Sequence, residues 1–337
     1  MKRPILLLAL LALLATLAAC GKETKVNEPS IDVSTDMSSS RGTTTAGGGA
    51  GGVRIAVVTH GQASSPFWAI VRNGVEAAAR QMDVVVQYRA PDIYSLDKMK
   101  TLIDEALASK PDGLVVSLPE KGLSPTIKKA VATGIPVVTI NSGSDLHKKL
   151  GVLAHVGQPE DRAGLAAGRR LAEAGARRTL CVNQQIGNQG LDERCRGLAR
   201  AMREVGGRSV VLGVDDQDPK TPQKIAAAVA QRKADAVLAL NSTSGLEAVE
   251  GLGRRPSVRL ATFDLGPDVL RAVKEGRLLF AVDQQAYLQG YLPVVMLTQY
   301  ARYGLFPAQG DVIPTGPNFV TRANADKAIE LSRRAIR

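Results

Sequence analysis

Histidine, cysteine and aromatic side chains are scarce in this chain of 337 residues. It holds three histidines, three cysteines and one tryptophan, and the aromatic residues make up 4%. His60, His147 and His155 lie apart, without metal-ligand spacing, and no nucleophile stands in a strained-turn motif. The formal charge of +11 comes from basic residues spread along the chain with few aromatics between them. These features disfavour a metalloenzyme and a nucleic-acid binder, and we expect no metal, no cofactor and no nucleic-acid partner.

The N-terminus has the pattern of a secretion signal. Lys2 and Arg3 precede an apolar run over 5–14, which is shorter than the roughly 18 residues of a membrane span. Small residues then lead to Cys20, so the pattern predicts a signal peptide over 1–20. The Leu-Ala-Ala-Cys sequence resembles the bacterial lipobox, which implies lipidation of Cys20 and a lipid-anchored protein on the periplasmic or cell-surface side of a membrane. The alternative is an ordinary signal peptide with a chance cysteine.

A segment poor in large apolar residues follows this signal. Residues 21–52 end in a glycine-rich run and cannot bury enough surface to fold, so they are predicted to be a disordered tether. The remaining chain of about 285 residues is large for one hydrophobic core and indicates two domains.

From residue 53 onward, short β-branched runs alternate with longer amphipathic segments. This alternation is typical of parallel strands joined by helices. Ten strands are predicted, at 53–58, 84–86, 113–116, 136–140, 152–156, 179–182, 209–212, 236–240, 258–262 and 278–282. They form two successive sets of similar length, which predicts an α/β fold of two doubly wound parallel-sheet lobes.

Polar and aromatic residues recur where the predicted strands end. In open α/β sheets the ligand site lies outside the carboxyl ends of the strands. The segments concerned are 60–68, 141–143, 183–194, 214–216, 241–243, 263–264 and 283–284. They are rich in amides, carboxylates and one arginine, which suit sugar hydroxyls that both donate and accept hydrogen bonds. The structural alternatives are turns at Asn141 and Asn241, a helix cap at Asp264, inter-helix packing for Phe67 and Trp68, and a surface ion pair for Arg194.

Several segments occur in the order and spacing of one known family. They are Ser65-Pro66-Phe67-Trp68, Gly113 to Pro119, Gly134 to Val138, Gly164 to Gly168, Phe263-Asp264 and Gly276-Arg277-Leu278. With the opening strand Ile55-Ala56-Val57-Val58, they resemble the type I periplasmic solute-binding proteins, in particular the ribose-binding-like sugar-binding lipoproteins of ABC transporters. The resemblance covers about 53–321. No single segment is diagnostic, but their combined order is specific.

The resemblance implies a ligand-binding set. Phe67 and Trp68 would flank a sugar ring, and the full set would be Ser65, Phe67, Trp68, Asn141, Arg194, Asn241, Asp264 and Gln284. Three positions depart from the family pattern, and one is the missing aromatic after the second strand of the second lobe, where Val214-Asp215-Asp216 stands instead. Asn141-Ser142 stands where the family usually has Asp-Arg, and Ser65 replaces a usual Asn. A monosaccharide is expected, and a polyol, a deoxysugar, a cyclitol or a nucleoside stays open.

The resemblance also implies two discontinuous lobes joined by a three-strand hinge. The first would comprise 53–156 plus 285–312, and the second 157–284 plus 313–337. The expected protein is a monomer, not an enzyme, that closes over its ligand and delivers it to the permease subunits of an ABC importer. Alternatives are a ligand-sensing subunit for a sensor kinase or chemoreceptor and, more remotely, a secreted hydrolase using Asp264 with Asp215 or Asp216 as paired carboxylates.

Two cysteines remain once Cys20 is assigned to lipidation. Cys181 and Cys195 form an even pair in an oxidising compartment, and a disulfide between them is expected. The alternative is two independent buried thiols.

Overall fold

The computed structural model describes residues 52–61, 65–253, 257–307 and 310–337. The predicted signal peptide, the predicted lipidation site Cys20 and the predicted tether up to residue 51 lie outside these ranges. Within the described part of the chain, none of the helices combines the length and apolar character that crossing a bilayer requires.

The first lobe is built on a six-stranded sheet in the order β2-β1-β3-β4-β5-β11, in which all neighbours are parallel. Its strands are β1 (Arg54–Val58), β2 (Val85–Arg89), β3 (Gly113–Ser117), β4 (Val137–Ile140), β5 (Ala154–Gly157) and β11 (Asp311–Pro314). Its helices are α1 (Pro66–Met82), α2 (Leu96–Ala108), α3 (Ser124–Ala132), α4 (His147–Leu150) and α10 (Ala286–Tyr303), and a 3₁₀ turn spans Lys121–Leu123.

The second lobe repeats the plan with a sheet in the order β7-β6-β8-β9-β10-β12. Its strands are β6 (Arg178–Asn183), β7 (Arg208–Gly213), β8 (Ala236–Ala239), β9 (Arg259–Phe263), β10 (Phe280–Asp283) and β12 (Asn318–Val320). Its helices are α5 (Glu160–Glu173), α6 (Gln189–Glu204), α7 (Thr221–Arg232), α8 (Ser242–Leu252), α9 (Pro267–Lys274) and α11 (Ala325–Arg333). All neighbours are parallel except β12, which runs antiparallel to β10. The predicted fold of two doubly wound lobes is confirmed.

The chain passes between the lobes three times. The connections follow β5, join β10 to α10, and join β11 to β12. In the third, Pro314 still pairs with Gly157 of β5, so the first-lobe sheet continues two residues past the expected limit at 312. Strands β11 and β12 and helices α4 and α11 were not predicted. Segments as short as β11, β12 and α4 show no clear period.

The inner strands of each sheet are buried on both faces. The strand segment Gly113–Ser117 is buried at every position, and separate apolar clusters lie on the two sides of each sheet. This explains the near-continuous apolar strands, since parallel sheets covered by helices on both faces have no solvated side.

Helices α5 and α6 approach at backbone distance because glycines face each other. A β-carbon on Gly164 would lie 2.1 Å from the Arg194 carbonyl oxygen, and one on Gly197 would lie 2.2 Å from the Asp161 carbonyl oxygen. Close approach of this kind excludes any side chain at both positions. It brings the start of α5 next to α6, where two side chains of the candidate site lie.

The expected disulfide between Cys181 and Cys195 is present, with Cα atoms 5.8 Å apart. It ties the middle of β6 to α6 at the residue after Arg194. The helix that carries this arginine is therefore fixed to the sheet covalently as well as by packing.

Candidate ligand-binding cleft

Three predicted site residues meet where strands of both lobes end. Asn141 follows β4, Asp264 follows β9 and Gln284 follows β10. Asn141 Nδ2 donates to Gln284 Oε1 at 3.4 Å, and Gln284 Nε2 donates to Asp264 Oδ1 at 2.6 Å. All three are buried. A continuous hydrogen-bonded chain therefore runs from the first lobe, through the second connection, into the second lobe.

Two of these residues adopt left-handed backbone conformations. The φ angles of Asn141 and Asp264 are +68° and +65°. Asn and Asp tolerate this region better than other non-glycine residues, because their short polar side chains bond locally. An Asn or Asp at these positions therefore both tolerates the backbone conformation and provides the side chain that joins the hydrogen-bonded chain.

Gln289 supports this chain from the first turn of α10. Its Nε2 lies 3.1 Å from Gln284 Oε1 and 3.1 Å from Thr315 Oγ1, and its Oε1 accepts from Asn141 Nδ2 at 3.3 Å. Gln289 is fully buried, and Thr315 belongs to the third connection. The sequence analysis missed Gln289, although it follows Gln284 by little more than one helical turn.

Arg194 is buried, with 3% of its side chain exposed, and is held by Glu160. Its Nε and one terminal nitrogen donate to the two Glu160 oxygens at 2.6 and 2.8 Å, and the other terminal nitrogen donates to the Leu240 carbonyl at 3.1 Å. Burial alone would lower the pKa of the guanidinium, but the paired Glu160 carboxylate raises it. Of the five N–H donors of an arginine, three are engaged by residues in the described part of the chain.

The surface ion pair considered for Arg194 is therefore wrong, since both partners are buried. The guanidinium carbon also lies 4.3 Å from the ring centroid of Phe263, the residue before Asp264. Glu160 was missed because a carboxylate at the start of a helix normally marks a favourable N-terminal charge. The signal that could have found it is the need of any buried arginine for a carboxylate partner.

Asp264 has an unusual protonation equilibrium. Burial raises its pKa from 3.8 to about 6, against the opposing influence of the Arg194 charge and the Gln284 hydrogen bond. The alternative role of Asp264 as a helix cap is not observed, because Gly266 occupies the N-cap position of α9. Near pH 7 this carboxylate is the charged acceptor of the cleft.

Phe67 and Trp68 lie in different surroundings. Phe67 lines a small pocket together with Asp264 and Gln284. Trp68 is 6% exposed and packs edge-on against His60 and Phe67, with its indole nitrogen directly over Gly61. Trp68 thus forms part of the first-lobe core, and its contact with a ligand stays a prediction.

Two other predicted residues have different surroundings. The Asn241 side chain caps α8 by accepting from the Ser244 N–H at 2.8 Å, and it donates to Asp216 Oδ2 at 2.9 Å. Both of its polar groups therefore have protein partners. Ser65 occupies the N-cap position of α1, but its hydroxyl makes no capping hydrogen bond. Neither residue joins the chain of Asn141, Gln284 and Asp264.

Comparisons with known proteins agree with this geometry. The family model described as the periplasmic binding protein domain matches residues 55–304. A crystal structure of a carbohydrate transporter from Acidothermus cellulolyticus, in complex with myo-inositol, is 35% identical, with a TM-score of 0.79; the match covers 85% of this chain and 100% of that one.

Two curated relatives are more distant. The D-ribose/D-allose-binding protein of Pseudomonas aeruginosa is 30% identical over 205 residues, which are 56% of this chain, and the match spans 62% of that protein's length. The xylose/arabinose-binding protein XylF of Sulfolobus acidocaldarius is 24% identical over 80% of this chain and 71% of its own length. The resemblance seen in the sequence is confirmed: this chain belongs to the periplasmic binding protein family, in its type I, ribose-binding-like group.

Proposed function

We propose that this protein captures a monosaccharide or a cyclic polyol outside the cytoplasm and delivers it to an ABC importer. The chain of Asn141, Gln284 and Asp264, which joins donors and acceptors from both lobes at one place, is the observation that carries the proposal. Hydroxyl groups both donate and accept, so amides and a carboxylate recognise them well. Relatives whose names or titles state ribose, allose, xylose, arabinose or myo-inositol support the same ligand class.

The charges of the site favour a neutral ligand. The guanidinium of Arg194 is neutralised by the bidentate Glu160. Among the residues of the proposed set, Asp264 is then the charge without a fixed counter-ion, and an anionic sugar acid or sugar phosphate would be repelled by it. Asn141-Ser142, which replaces a charged pair of the family, is consistent with a polyol or cyclitol.

Capture would proceed by closure of the lobes. A ligand shifts an open–closed equilibrium only when it binds one state better, and contact with both lobes provides that difference. Asn141 and Asp264 belong to different lobes, so a ligand that bonds both is bound fully only in the closed state. The closed form would then dock on the permease subunits.

A panel of ligands tests this proposal. Thermal shift followed by calorimetry would compare myo-inositol, D-ribose, D-xylose, adenosine and glycine, since binding to the native state raises its apparent stability. We expect a polyol or sugar to bind with a Kd of about 1 µM or below, near −8 kcal/mol. Asp264→Ala should weaken that binding at least tenfold, whereas Asp268→Ala, an exposed aspartate one turn away, should not. Binding of glycine alone, or a change within twofold for Asp264→Ala, would contradict the proposal.

We further propose that the mature protein is anchored through lipid on Cys20. Mass spectrometry of the mature protein should show an acylated N-terminal cysteine, and Cys20→Ala should release the protein from the membrane fraction. A free, unacylated Cys20 would overturn the anchoring while leaving the binding function untouched.

Two other functions are distinguished by a gene deletion and by the geometry of the carboxylates. A sensory role with a kinase or chemoreceptor would keep ligand binding but show no transport defect when the gene is deleted. A carboxylate hydrolase is disfavoured by the geometry, because Asp216 accepts from Asn241 and Asp215 accepts from the Gln217 backbone N–H, while Asp264 accepts from Gln284.

A further inference from the structure

The lobes also meet at a place other than the three connections. The backbone N–H of Gln189, at the start of α6, donates to the Pro119 carbonyl of the first lobe at 2.8 Å. The Gln189 side-chain amide donates to the carboxylate of Asp145, also in the first lobe. Ser142 Oγ lies 3.2 Å from Asn188 Oδ1. The first turn of α6 thus holds the second lobe against the first.

A second carboxyl group belongs to this contact. Glu193 lies one turn along α6 with 6% of its surface exposed, and its Oε1 is 3.3 Å from the same Gln189 Nε2. The charged groups that act on it are Asp145 from the first lobe, the paired Glu160 and Arg194, and Arg196 of α6, which lies 3.5 Å away and is 62% exposed. Because Glu160 and Arg194 neutralise each other and Arg196 is mostly exposed, the negative charge of Asp145 has the largest electrostatic effect on this buried acid.

The contact also has an unmatched acceptor. Gln189 Oε1 is buried and has no hydrogen-bond partner within the described part of the chain. When Glu193 and Asp145 are both ionised, the cluster holds two facing carboxylates and this amide oxygen, but it has few donors. A proton on Glu193 removes one negative charge and adds an O–H donor.

We propose that Asp145, Gln189 and Glu193 form a latch that holds the lobes closed and that a proton on Glu193 strengthens it. The three are positioning residues, and none belongs to the proposed ligand-binding set. The proposal rests on the proposed hinge closure, but the latch acts with or without ligand.

The sign of the pH dependence follows from the surroundings. Burial, followed by the charge of Asp145, raises the pKa of Glu193 to about 7. Opening would carry Asp145 away and admit water, so the pKa of Glu193 would be lower in the open state. The closed state binds the proton more tightly and is therefore favoured below pH 7 and weakened as the pH rises above it.

Hydrogen–deuterium exchange of the ligand-free full chain tests the latch directly. The Gln189 N–H is protected only while it bonds to Pro119, so exchange of the peptide containing it should be at least threefold slower at pH 6 than at pH 8. Rates would be corrected for intrinsic exchange and compared with the buried strand β3. No ligand is needed, so a failed latch and a failed ligand assignment are distinguishable.

Variants assign the effect to one carboxyl. Glu193→Gln should abolish the difference between the two pH values, and Asp145→Asn should reduce it, because burial still raises the pKa of Glu193 in that variant. Glu247→Gln is the matched control: burial also raises the pKa of Glu247 to about 7, but it faces Asp216 of its own lobe. It should retain the full difference. Equal protection of the Gln189 peptide at both pH values in the parent protein, or loss of the difference in Glu247→Gln alone, would overturn the proposal.

Discussion

Removing one charge of the buried Arg194–Glu160 pair should strongly lower the free energy of unfolding, even when the substitution keeps the volume of the side chain. Glu160→Gln leaves a guanidinium that is 3% exposed without its counter-ion. Removing one partner of a buried pair costs about 3–5 kcal/mol, because the remaining charge is uncompensated. We expect a loss of this size in the free energy of unfolding, measured by urea denaturation.

A double-mutant cycle separates the pair from its surroundings. Arg194→Met should also destabilise the protein strongly, since it leaves the Glu160 carboxylate buried without its counter-ion. The double variant removes both charges and should therefore lose less than the sum of the two single losses, by about 3 kcal/mol.

The matched control joins the same two helices on their outer side. Arg200 and Asp161 form a two-bonded pair across α6 and α5, with 42% and 38% of their side chains exposed. An exposed pair contributes about 0–1 kcal/mol, so Asp161→Asn should have little effect. A loss below about 1 kcal/mol for Glu160→Gln, or single losses that simply add in the double variant, would refute this account of the pair.

Three further predictions follow from named contacts. The pKa of Asp264 is raised from 3.8 to about 6, so the folded state binds the Asp264 proton more tightly than the unfolded state does. The resulting stabilisation of about 3 kcal/mol should be lost as the pH rises from 4 to 7. Urea unfolding at several pH values should show a smaller dependence of the unfolding free energy on pH in Asp264→Asn than in the parent protein. An identical dependence would contradict this prediction. Replacing Cys181 and Cys195 together by Ala should lower the unfolding free energy by about 3 kcal/mol, since the disulfide closes a short loop; an unchanged urea midpoint would argue against this. Arg337→Ala should remove the 2.6 Å ion pair to Asp283, beside the Phe67 pocket, and should accelerate release of the ligand identified by the panel in stopped-flow measurements. Arg337→Lys should restore part of the effect.

Local signals were sufficient for most of the architecture. The ten predicted strands are all present. Most combine β-branched residues with burial on both faces, whereas the edge strands β2 and β7 are only partly buried. The strand-end rule also placed Asn141, Asp264 and Gln284 correctly at the carboxyl edges of the sheets, since that edge is fixed once the strands are parallel. What the rule could not provide was the partner of each side chain. Asn241 also follows the end of a strand, as Asn141, Asp264 and Gln284 do, yet its side chain caps a helix and bonds Asp216.

The missed residues share a physical property. Glu160 acquires its role from Arg194, 34 residues away, and Gln189 acquires its role from Asp145, 44 residues away in the other lobe. Each would be an ordinary polar residue on an isolated helix. Their importance arises from burial in the assembled structure, where a charge or an amide must find a partner. No pattern within one helix carries that information.

Two carboxyl groups of this protein should act on ligand affinity in opposite directions. Asp264 must be ionised to accept hydrogen bonds from hydroxyls, so affinity should fall as the pH drops below about 6. Glu193 must be protonated to strengthen the latch, so affinity should also fall as the pH rises above about 7. The affinity for a neutral polyol should therefore pass through a maximum between these values.

The two limbs of this profile can be removed separately. Glu193→Gln keeps a neutral donor at all pH values and should flatten only the alkaline limb, while the acid limb remains. Asp264→Asn should weaken binding overall and flatten only the acid limb. Calorimetry with the same neutral ligand from pH 5 to 8.5 would measure both. If Glu193→Gln flattened the acid limb instead, the two carboxyls would be energetically coupled through Arg194 and Glu160, and the latch could not be treated as independent of the ligand site.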